Sequence, residues 1–579
     1  MLLNSQQQSS LIKLDAFIQS KKEKIFLLEG FAGTGKTTVI TQLFGSRKFF
    51  NKDIVFAATT NKAVSVLQHM FKNQYEHIDF KTIHKLCKIK RKITDDGNIS
   101  FNLNESPETF KKNQKTIFNY DIIVIDECSM ISSKILALIV KYSGRIKGKI
   151  IFVGDRYQLP PVNEEISDVF KLPMSKSELS KVVRCNDQVV KFATRIRNSI
   201  DNNENISTKG CKGDNFKTFK SSREWLDFFI ASFNREKNNV LLAYTNQRCN
   251  EINQYIREKI YGDLCKVEYI DGEIIVFNNY YSETNFALSP LNVNATNDVY
   301  AITPPEDTAQ IDDEIENMAK FYTSHKAIIK NCRQVTIRLP SFPLQSLFNL
   351  NKKLDLKFKI HKPDNFNPDN DCPICFEKIK DKDSIETDCG HMFCHKCLKT
   401  WIEQNNQCPY CRMKIVEETE EFIVNGDEKL GKLITNFKTL TKDLDFRVWE
   451  MKVDSPTSEG MVYTPIKNEK ARFELRLNKI KESIHGIKKH IVENSEKNKF
   501  SGRQSYIIQR LWEYFYYSYV DIFADISYGY CITVHKSQGS TFDDVFIDSK
   551  NIMSFKNKDT LNCLYTAVTR ASSIVNLLV

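Results

Sequence analysis

A chain of 579 residues is too long for one hydrophobic core, so three or four domains are expected. Its 41% hydrophobic and 27% charged content is ordinary for a folded, water-facing protein, and no apolar run nears the ~20 residues a membrane helix needs. The net charge of +11 favours a polyanionic partner, although a lysine-rich surface kept for solubility has the same signature.

The N-terminal stretch MLLNSQQQSSLIKLDAF reads as a polar helix without the apolar core of a signal peptide. KIFLLEG (24–30) is an apolar strand, and FAGTGKTTVITQLF continues it as a loop and a helix opening. Gly30 to Thr37 fits G-x-x-x-x-G-K-[ST] in the strand–loop–helix setting that the motif requires. Glycines such as Gly33 and Gly35 let backbone amides close round a phosphate, and the helix start adds favourable partial charge. Lys36 is then expected at the β- and γ-phosphates of ATP, and the Thr37 hydroxyl on Mg2+.

KIKRKITDDGNISFNLN (88–104) alternates around Asp96-Gly97, a hairpin signal. YDIIVIDECSM (120–130) is an unbroken apolar run ending in two acids, the pattern of a buried parallel strand with a ligand at its carboxyl end. Asp126 is placed to hold the Mg2+ shell and Glu127 to deprotonate a water. GKIIFVGDRYQLPPV (148–162) ends a third strand at Asp155 and presents Gln158 just beyond.

In the second half, VEYIDGEIIVFNN (267–279) and DFRVWEMKVD (445–454) are β-rich. PPEDTAQIDDEIENMAK (304–320) is acidic and reads as a linker or exposed helix. Residues 468–519 run basic and then aromatic with helical periodicity. Sixteen cysteines are present; seven crowd between Cys372 and Cys411 in CxxC pairs and nine are scattered. Without a secretion signal, that distribution indicates metal binding in a reducing, intracellular compartment rather than disulfides. Cys372, Cys375, Cys389, His391, Cys394, Cys397, Cys408 and Cys411 supply eight N/S ligands, enough for two tetrahedral Zn2+ sites. His395 competes with Cys394, and the two-residue gap before Cys397 favours the cysteine. So short a segment scarcely folds on apolar burial, whereas structural zinc supplies roughly 10–16 kcal/mol.

The GDRYQLPPV segment resembles motif III of superfamily 1 helicases, and other segments follow in family order. AATTNKAV (57–64) resembles motif Ia, TIHKLC (82–87) motif Ib, YCITVHKSQGSTFDDVFID (530–548) motif V and LYTAVTRAS (564–572) motif VI. HKSQGSTFD resembles the RecD/Dda branch, superfamily 1B, whose members move 5′→3′ on single-stranded DNA. The resemblance implies an α/β fold of two RecA-like P-loop motor domains, with a β-rich SH3-like insertion carrying a small zinc-bound module. The first motor domain is expected over 1–184, with a duplex-splitting pin at about 88–104, and the second over 185–265 plus 515–579. The insertion is then 266–514, with SH3-like strands at about 267–303 and 442–465 and a basic helical segment at 468–514.

The same resemblance implies Arg184 and Arg570 as cations reaching the γ-phosphate, Gln158 as its sensor, Gln8 at the adenine and Gly539 at the nucleotide. It also implies Thr60, Asn61, Thr82, His84, Thr533, His535 and Lys536 as grips on single-stranded or forked DNA, and Ile99 or Phe101 at the tip of the pin, with a surface hairpin of no such role as the alternative. Hydroxyl, amide and imidazole groups suit sugar–phosphate contacts that ignore sequence. Each of these polar residues has a plain alternative as a helix cap.

The C3HC4 order of the zinc ligands resembles a RING finger over 370–413. By that resemblance Cys372, Cys375, Cys394 and Cys397 share one zinc, and Cys389, His391, Cys408 and Cys411 the other. RING ubiquitin ligases dock a ubiquitin-conjugating enzyme through residues at the positions of Ile374, Trp401 and Pro409, with a basic residue at the position of Arg412 contacting ubiquitin. A motor of this kind fused to a RING resembles products of large DNA viruses. The leading expectation is an ATP-dependent 5′→3′ DNA helicase with a ubiquitin-ligase RING. An RNA helicase of the same superfamily, or a RING serving only as a structural or protein-binding module, are the alternatives.

Overall fold

The computed structural model describes residues 3–579 apart from 47–48, 72–77, 104–114, 143–144, 184–186, 203, 205, 207–210, 235–236, 284–318, 340–355, 359, 364–369, 388, 403–404, 406, 414–415, 419–427, 442–443, 495–501 and 556–558. Strands Ile25–Gly30, Ile54–Ala58, Ile122–Asp126 and Lys149–Gly154 are unbroken, almost wholly buried runs. Such runs suit strands covered on both faces, and they pair in parallel. With Ile78–Thr82 and Ser175–Leu179 they form a six-stranded sheet in the order 78–82, 54–58, 122–126, 149–154, 25–30, 175–179. Leu14, Phe17, Leu43, Phe44 and Leu67 pack one face of it, and Leu86, Ile131, Leu136 and Ile139 the other. The chain leaves strand 25–30 toward one edge and later returns on its other side, which opens a crevice at the carboxyl ends.

A second parallel sheet runs 531–533, 240–243, 542–548, 571–578, 216–219. Helix Asp187–Asn202 packs on it through Val189, Phe192 and Ile196, beside helix Thr560–Val568, which is buried at every position but Leu561. These two sheets are the RecA-like α/β domains.

A third, antiparallel sheet runs 458–465, 444–455, 326–339, 274–277, 526–528. Two expectations are corrected by it. The 14-residue strand Lys326–Leu339 is its central member, although no strand was expected there. Its sequence KAIIKNCRQVTIRL intersperses charges because one face is solvated, which hides the period of two. The insertion also ends near 528 rather than 514. Strand Ile526–Tyr528 pairs with Ile274–Phe277, and Phe515, Tyr519 and Ile522 join a core with Phe446 and Phe473. Part of the expected first strand block, 284–303, lies outside the described residues.

The basic segment is two helices, Lys467–Asn494 and Gly502–Phe515, the latter continuing as a π turn to Val520. They grasp the turn of the hairpin formed by Ile89–Ile93 and Ile99–Leu103. Trp512 Nε1 donates to Asp95 O at 3.2 Å and Tyr516 OH to Gly97 O at 2.8 Å, while Lys488 pairs with Asp96. Gly97 has φ +74°, and a Cβ there would meet the Trp512 ring at 2.5 Å.

Strands Leu356–Phe358 and Val416–Glu418 pair antiparallel as a stalk into and out of the cysteine-rich module. Within it, strands 360–361, 384–387 and 392–394 and helix His395–Ile402 enclose Ile379, Phe393 and Leu398. Among the described residues, no helix is long and apolar enough to cross a membrane.

Candidate nucleotide cleft and zinc module

The loop 30–36 is shaped for a ligand. Gly33 and Gly35 take φ +76° and +82°, which L side chains adopt only with strain. Lys36 Nζ folds over the loop and donates to Gly30 O at 2.7 Å and Phe31 O at 3.1 Å. Thr37 follows in the first turn of helix Lys36–Phe44. Asp126 ends its strand and accepts from Glu127 N at 2.8 Å, while Glu127 itself is left-handed at φ +52°. Burial, then the adjacent Glu127 charge, pushes the Asp126 carboxyl up to about 7. Two neighbouring acids facing a lysine are a donor set that fits a hard divalent cation.

The second sheet closes over this loop. Asp155, 1% exposed, accepts at Oδ2 from Ala32 N at 2.8 Å and from Tyr565 OH at 2.7 Å. Leu159 N donates to Thr566 Oγ1 at 2.9 Å, and Asn562 Nδ2 to Tyr157 O at 3.0 Å. Gln158 lies in this strap, 5% exposed, and its Oε1 is buried without a partner. Arg570 lies 4.0 Å from Glu127 across the domain boundary and donates from Nη1 to Ser540 O at 3.3 Å. Gly539, at φ +71°, lets the preceding turn approach Ala63; an added Cβ would sit 3.2 Å from it.

Gln8 is displaced from its expected place by one residue. Its Nε2 donates to Leu3 O on the exposed side, whereas buried Gln7 donates to Thr34 O at 3.0 Å. Asn4 caps the helix and fixes its phase in a reciprocal box with Gln7, which turns Gln7 inward. Arg184 lies outside the described residues. A cation that the sequence reading missed is Arg197, stacked 3.7 Å from the Phe31 ring and 5.8 Å from the Tyr565 ring. Its helix reads as simply amphipathic, so no local signal marks it.

The expected strand grips lie at element ends. Thr60 Oγ1 accepts from Ala63 N, Thr82 Oγ1 from Lys85 N and Thr533 Oγ1 from Lys536 N, so all three hydroxyls cap helical turns. Asn61 opens helix Asn61–Phe71. Burial lowers the pKa of both His84 and His535, and Lys536 donates to Asn278. The His535 ring lies 5.9 Å from the Tyr244 ring. The Phe101 side chain lies outside the described residues.

In the cysteine-rich module, the ligand atoms of Cys372, Cys375, Cys394 and Cys397 lie within 4.8 Å of one another, as do those of Cys389, His391, Cys408 and Cys411. The 3.9 Å between the Cys375 and Cys394 sulfurs is close to the ~3.8 Å edge of a tetrahedron with 2.3 Å zinc–sulfur bonds. Two equivalent knuckles build the clusters. Phe376 N donates to Cys372 O at 2.8 Å and Arg412 N to Cys408 O at 2.9 Å, with Phe376 and Arg412 both left-handed. Bound zinc would tie the first knuckle to Cys394 and Cys397 and the second to Cys389 and His391. Trp401 is 37% exposed and fixed by Nε1 donating to Gln407 O at 3.0 Å. Ile374 and Pro409 are half-buried and Arg412 is exposed.

Two parallel-sheet domains meeting over a glycine-rich loop and an acid pair define a P-loop motor, and the paired cysteine clusters define a zinc module. An AAA domain family matches residues 3–208, a UvrD-like helicase C-terminal domain family 528–578 and a RING finger domain family 370–412. The chain is 26% identical to uncharacterized protein R530 of Acanthamoeba polyphaga mimivirus across the full length of both. It is 27% identical to the ATP-dependent DNA helicase dda of Enterobacteria phage T4, over 45% of this chain and 57% of that one. An 80-residue stretch is 31% identical to E3 ubiquitin-protein ligase rnf8-A of Xenopus laevis, 14% of each chain. The crystal structure of Pif1 helicase from Candida albicans aligns over 100% of this chain and 95% of its own, at 14% identity and a TM-score of 0.38. The chain carries helicase-family domains at 3–208 and 528–578 around an inserted RING finger domain at 370–412, and in this arrangement it is similar to RecD/Dda-like helicases of superfamily 1.

Proposed function

We propose that this chain moves 5′→3′ along single-stranded DNA at the expense of ATP, and that its RING recruits a ubiquitin-conjugating enzyme. The observation that carries the motor reading is the cleft itself. Lys36, the Asp126–Glu127 pair and Gln158 come from one domain and Arg570 from the other, at 4.0 Å from Glu127. ATP would lie on the 30–36 loop, with Lys36 released from the loop carbonyls to the β- and γ-phosphates. Glu127 accepts a proton from a water whose oxygen attacks the γ-phosphorus. The bond to the bridging oxygen then breaks, leaving ADP and inorganic phosphate. Arg570 stabilises charge spreading onto the γ-phosphate oxygens, and Gln158 supplies a polar atom that the cleft leaves unpaired. Asp126 and Thr37 would hold Mg2+, which supplies charge neutralisation between the phosphates.

Cleft closure ratchets a strand only where each domain grips it differently in the two states. Thr60, Asn61, Thr82 and His84 on the first domain and Thr533, His535 and Lys536 on the second are the proposed grips. The test is unwinding of tailed duplexes of each polarity, built from DNA or RNA. Unwinding of only the 5′-tailed DNA supports the reading; a preference for 3′ tails overturns the polarity and a preference for RNA the substrate. Lys36→Ala should abolish strand-stimulated hydrolysis, and retained turnover would remove the P-loop assignment.

For the RING, the proposal is two zinc ions under a docking surface centred on Ile374, Trp401, Pro409 and Arg412. Similarity to a protein named a ubiquitin ligase and the half-exposed Trp401 support it. Mixing the chain with ubiquitin, activating enzyme and a panel of conjugating enzymes should give chains that Trp401→Ala abolishes. No chains from any pairing, with zinc bound, would leave the RING a structural module.

A further inference from the structure

Lys62, Lys326 and Arg570 reach one junction from three parts of the chain. Lys62 lies in the first turn of helix Asn61–Phe71, Lys326 opens the central strand of the inserted sheet, and Arg570 precedes the last strand of the second motor domain. The Lys62 and Lys326 ammonium groups lie 5.5 and 5.4 Å from the centroid of the same ring, Phe542. Lys62 otherwise donates to Ser324 O at 3.3 Å and Lys326 to Asn239 O at 3.2 Å. No carboxylate among the described residues acts on either lysine. Burial and the like charge of Arg570 push Lys62 down to about 8, and burial with Lys62 pushes Lys326 down to about 7. The neighbouring His325 is pushed down to about 4, and its Nδ1 lies 3.2 Å from Thr457 Oγ1.

Two buried polar side chains beside these cations lack partners. Asn239, 4% exposed, has neither Oδ1 nor Nδ2 satisfied, and Ser540 Oγ is also unpaired. Unpaired buried polar groups are costly, and uncompensated cations more so, so a native chain keeps them where something completes them. A crevice of about 340 Å³ adjoins the Asn239 and Lys326 side of this junction, lined also by Lys237, Asn238 and Asp454, whereas Lys62 and Ser540 lie outside its wall. Asp454 is itself paired with Lys330 at 3.0 Å.

We propose that Lys62 and Lys326, with Asn239 and Ser540, form a second phosphate-binding site behind the ATP cleft. Two ammonium groups, an amide and a hydroxyl match a tetrahedral oxyanion, which would form charge-assisted hydrogen bonds with them. The site adjoins Arg570, which donates to Ser540 O and lies 4.0 Å from Glu127. Inorganic phosphate leaving the cleft is therefore the favoured source, and a phosphodiester of a bound strand is the other source of the same chemistry. The inference of a leaving phosphate rests on the proposed ATP hydrolysis; the site itself does not.

The test uses the full chain and inorganic phosphate alone, with thermal unfolding read against chloride at matched ionic strength. Phosphate should raise the Tm of wild type and of Lys36→Ala, which removes the P-loop lysine, and should not raise that of Lys326→Met. Lys326→Arg should restore the shift, and Lys62→Met serves where Lys326→Met fails to fold. A single-stranded oligonucleotide is the second arm. If Lys326→Met instead lowers oligonucleotide affinity and flattens its salt dependence by about one phosphate contact, the site stands and the strand is its source. A Lys326→Met protein that responds like wild type in both arms overturns the site. Absence of ATP turnover in wild type, with the phosphate shift intact, would overturn the motor reading and leave this site.

Discussion

Three consecutive glutamines open the first helix, and the capping box at Asn4 decides which of them faces the P-loop. Because Gln7 holds Thr34 O beneath the phosphate loop, Gln7→Ala should raise the KM for ATP roughly 5-fold, the value of one hydrogen bond of about 1 kcal/mol. Gln8→Ala should leave it unchanged, and steady-state kinetics distinguish the two. Asp126 makes a pH prediction. Its carboxyl is raised in the folded state, so its contribution favours folding most at low pH and is lost as pH rises through about 7. In nucleotide-free and metal-free protein, Asp126→Asn should therefore flatten the fall of Tm between about pH 4 and 7. Thermal unfolding across that range checks it. At Arg570, replacement by Ala should cost about 10³–10⁵-fold in kcat, as loss of a cation on the γ-phosphate does elsewhere.

At the scale of elements, the hairpin expected to split duplexes is gripped rather than free. Its turn is bonded through Asp95 O and Gly97 O to Trp512 and Tyr516 of the insertion. A pin needs such an abutment, since a two-stranded ribbon alone is marginally stable in water. Gly97→Ala imposes a left-handed alanine and a clash with Trp512, which should lift the turn away. Duplex unwinding should fall while hydrolysis stimulated by single strands persists. Parallel loss of both activities would place the hairpin in the motor's general stability.

On the scale of the whole molecule, the RING is joined to the insertion through a two-stranded stalk. Its core of Ile379, Phe393 and Leu398 is small, so zinc binding and module folding are expected to be one event. Stripping zinc with a strong chelator should unfold the module and end any ubiquitin transfer while ATP turnover continues. Metal release followed beside ATPase activity checks this, and a matching loss of turnover would show that the module supports the motor.

The phosphate loop, the acid pair, the cysteine-rich knuckles and the hairpin turn were readable as sequence because each is made from neighbouring residues. Glycine spacing, a strand ending in two acids, CxxC knuckles and Asp-Gly turns carry their geometry within a few bonds. The parallel strands were readable too, since burial on both faces writes an unbroken apolar run. The half-solvated strand Lys326–Leu339 carries no such run, and the insertion's end near 528 depends on one pairing with Ile274–Phe277. Arg197 against Phe31, Trp512 against Gly97 and Lys62 against Lys326 join residues far apart in the chain. No local pattern encodes such meetings. Packing of three sheets against one another decides them, and with them which charges are left unpaired.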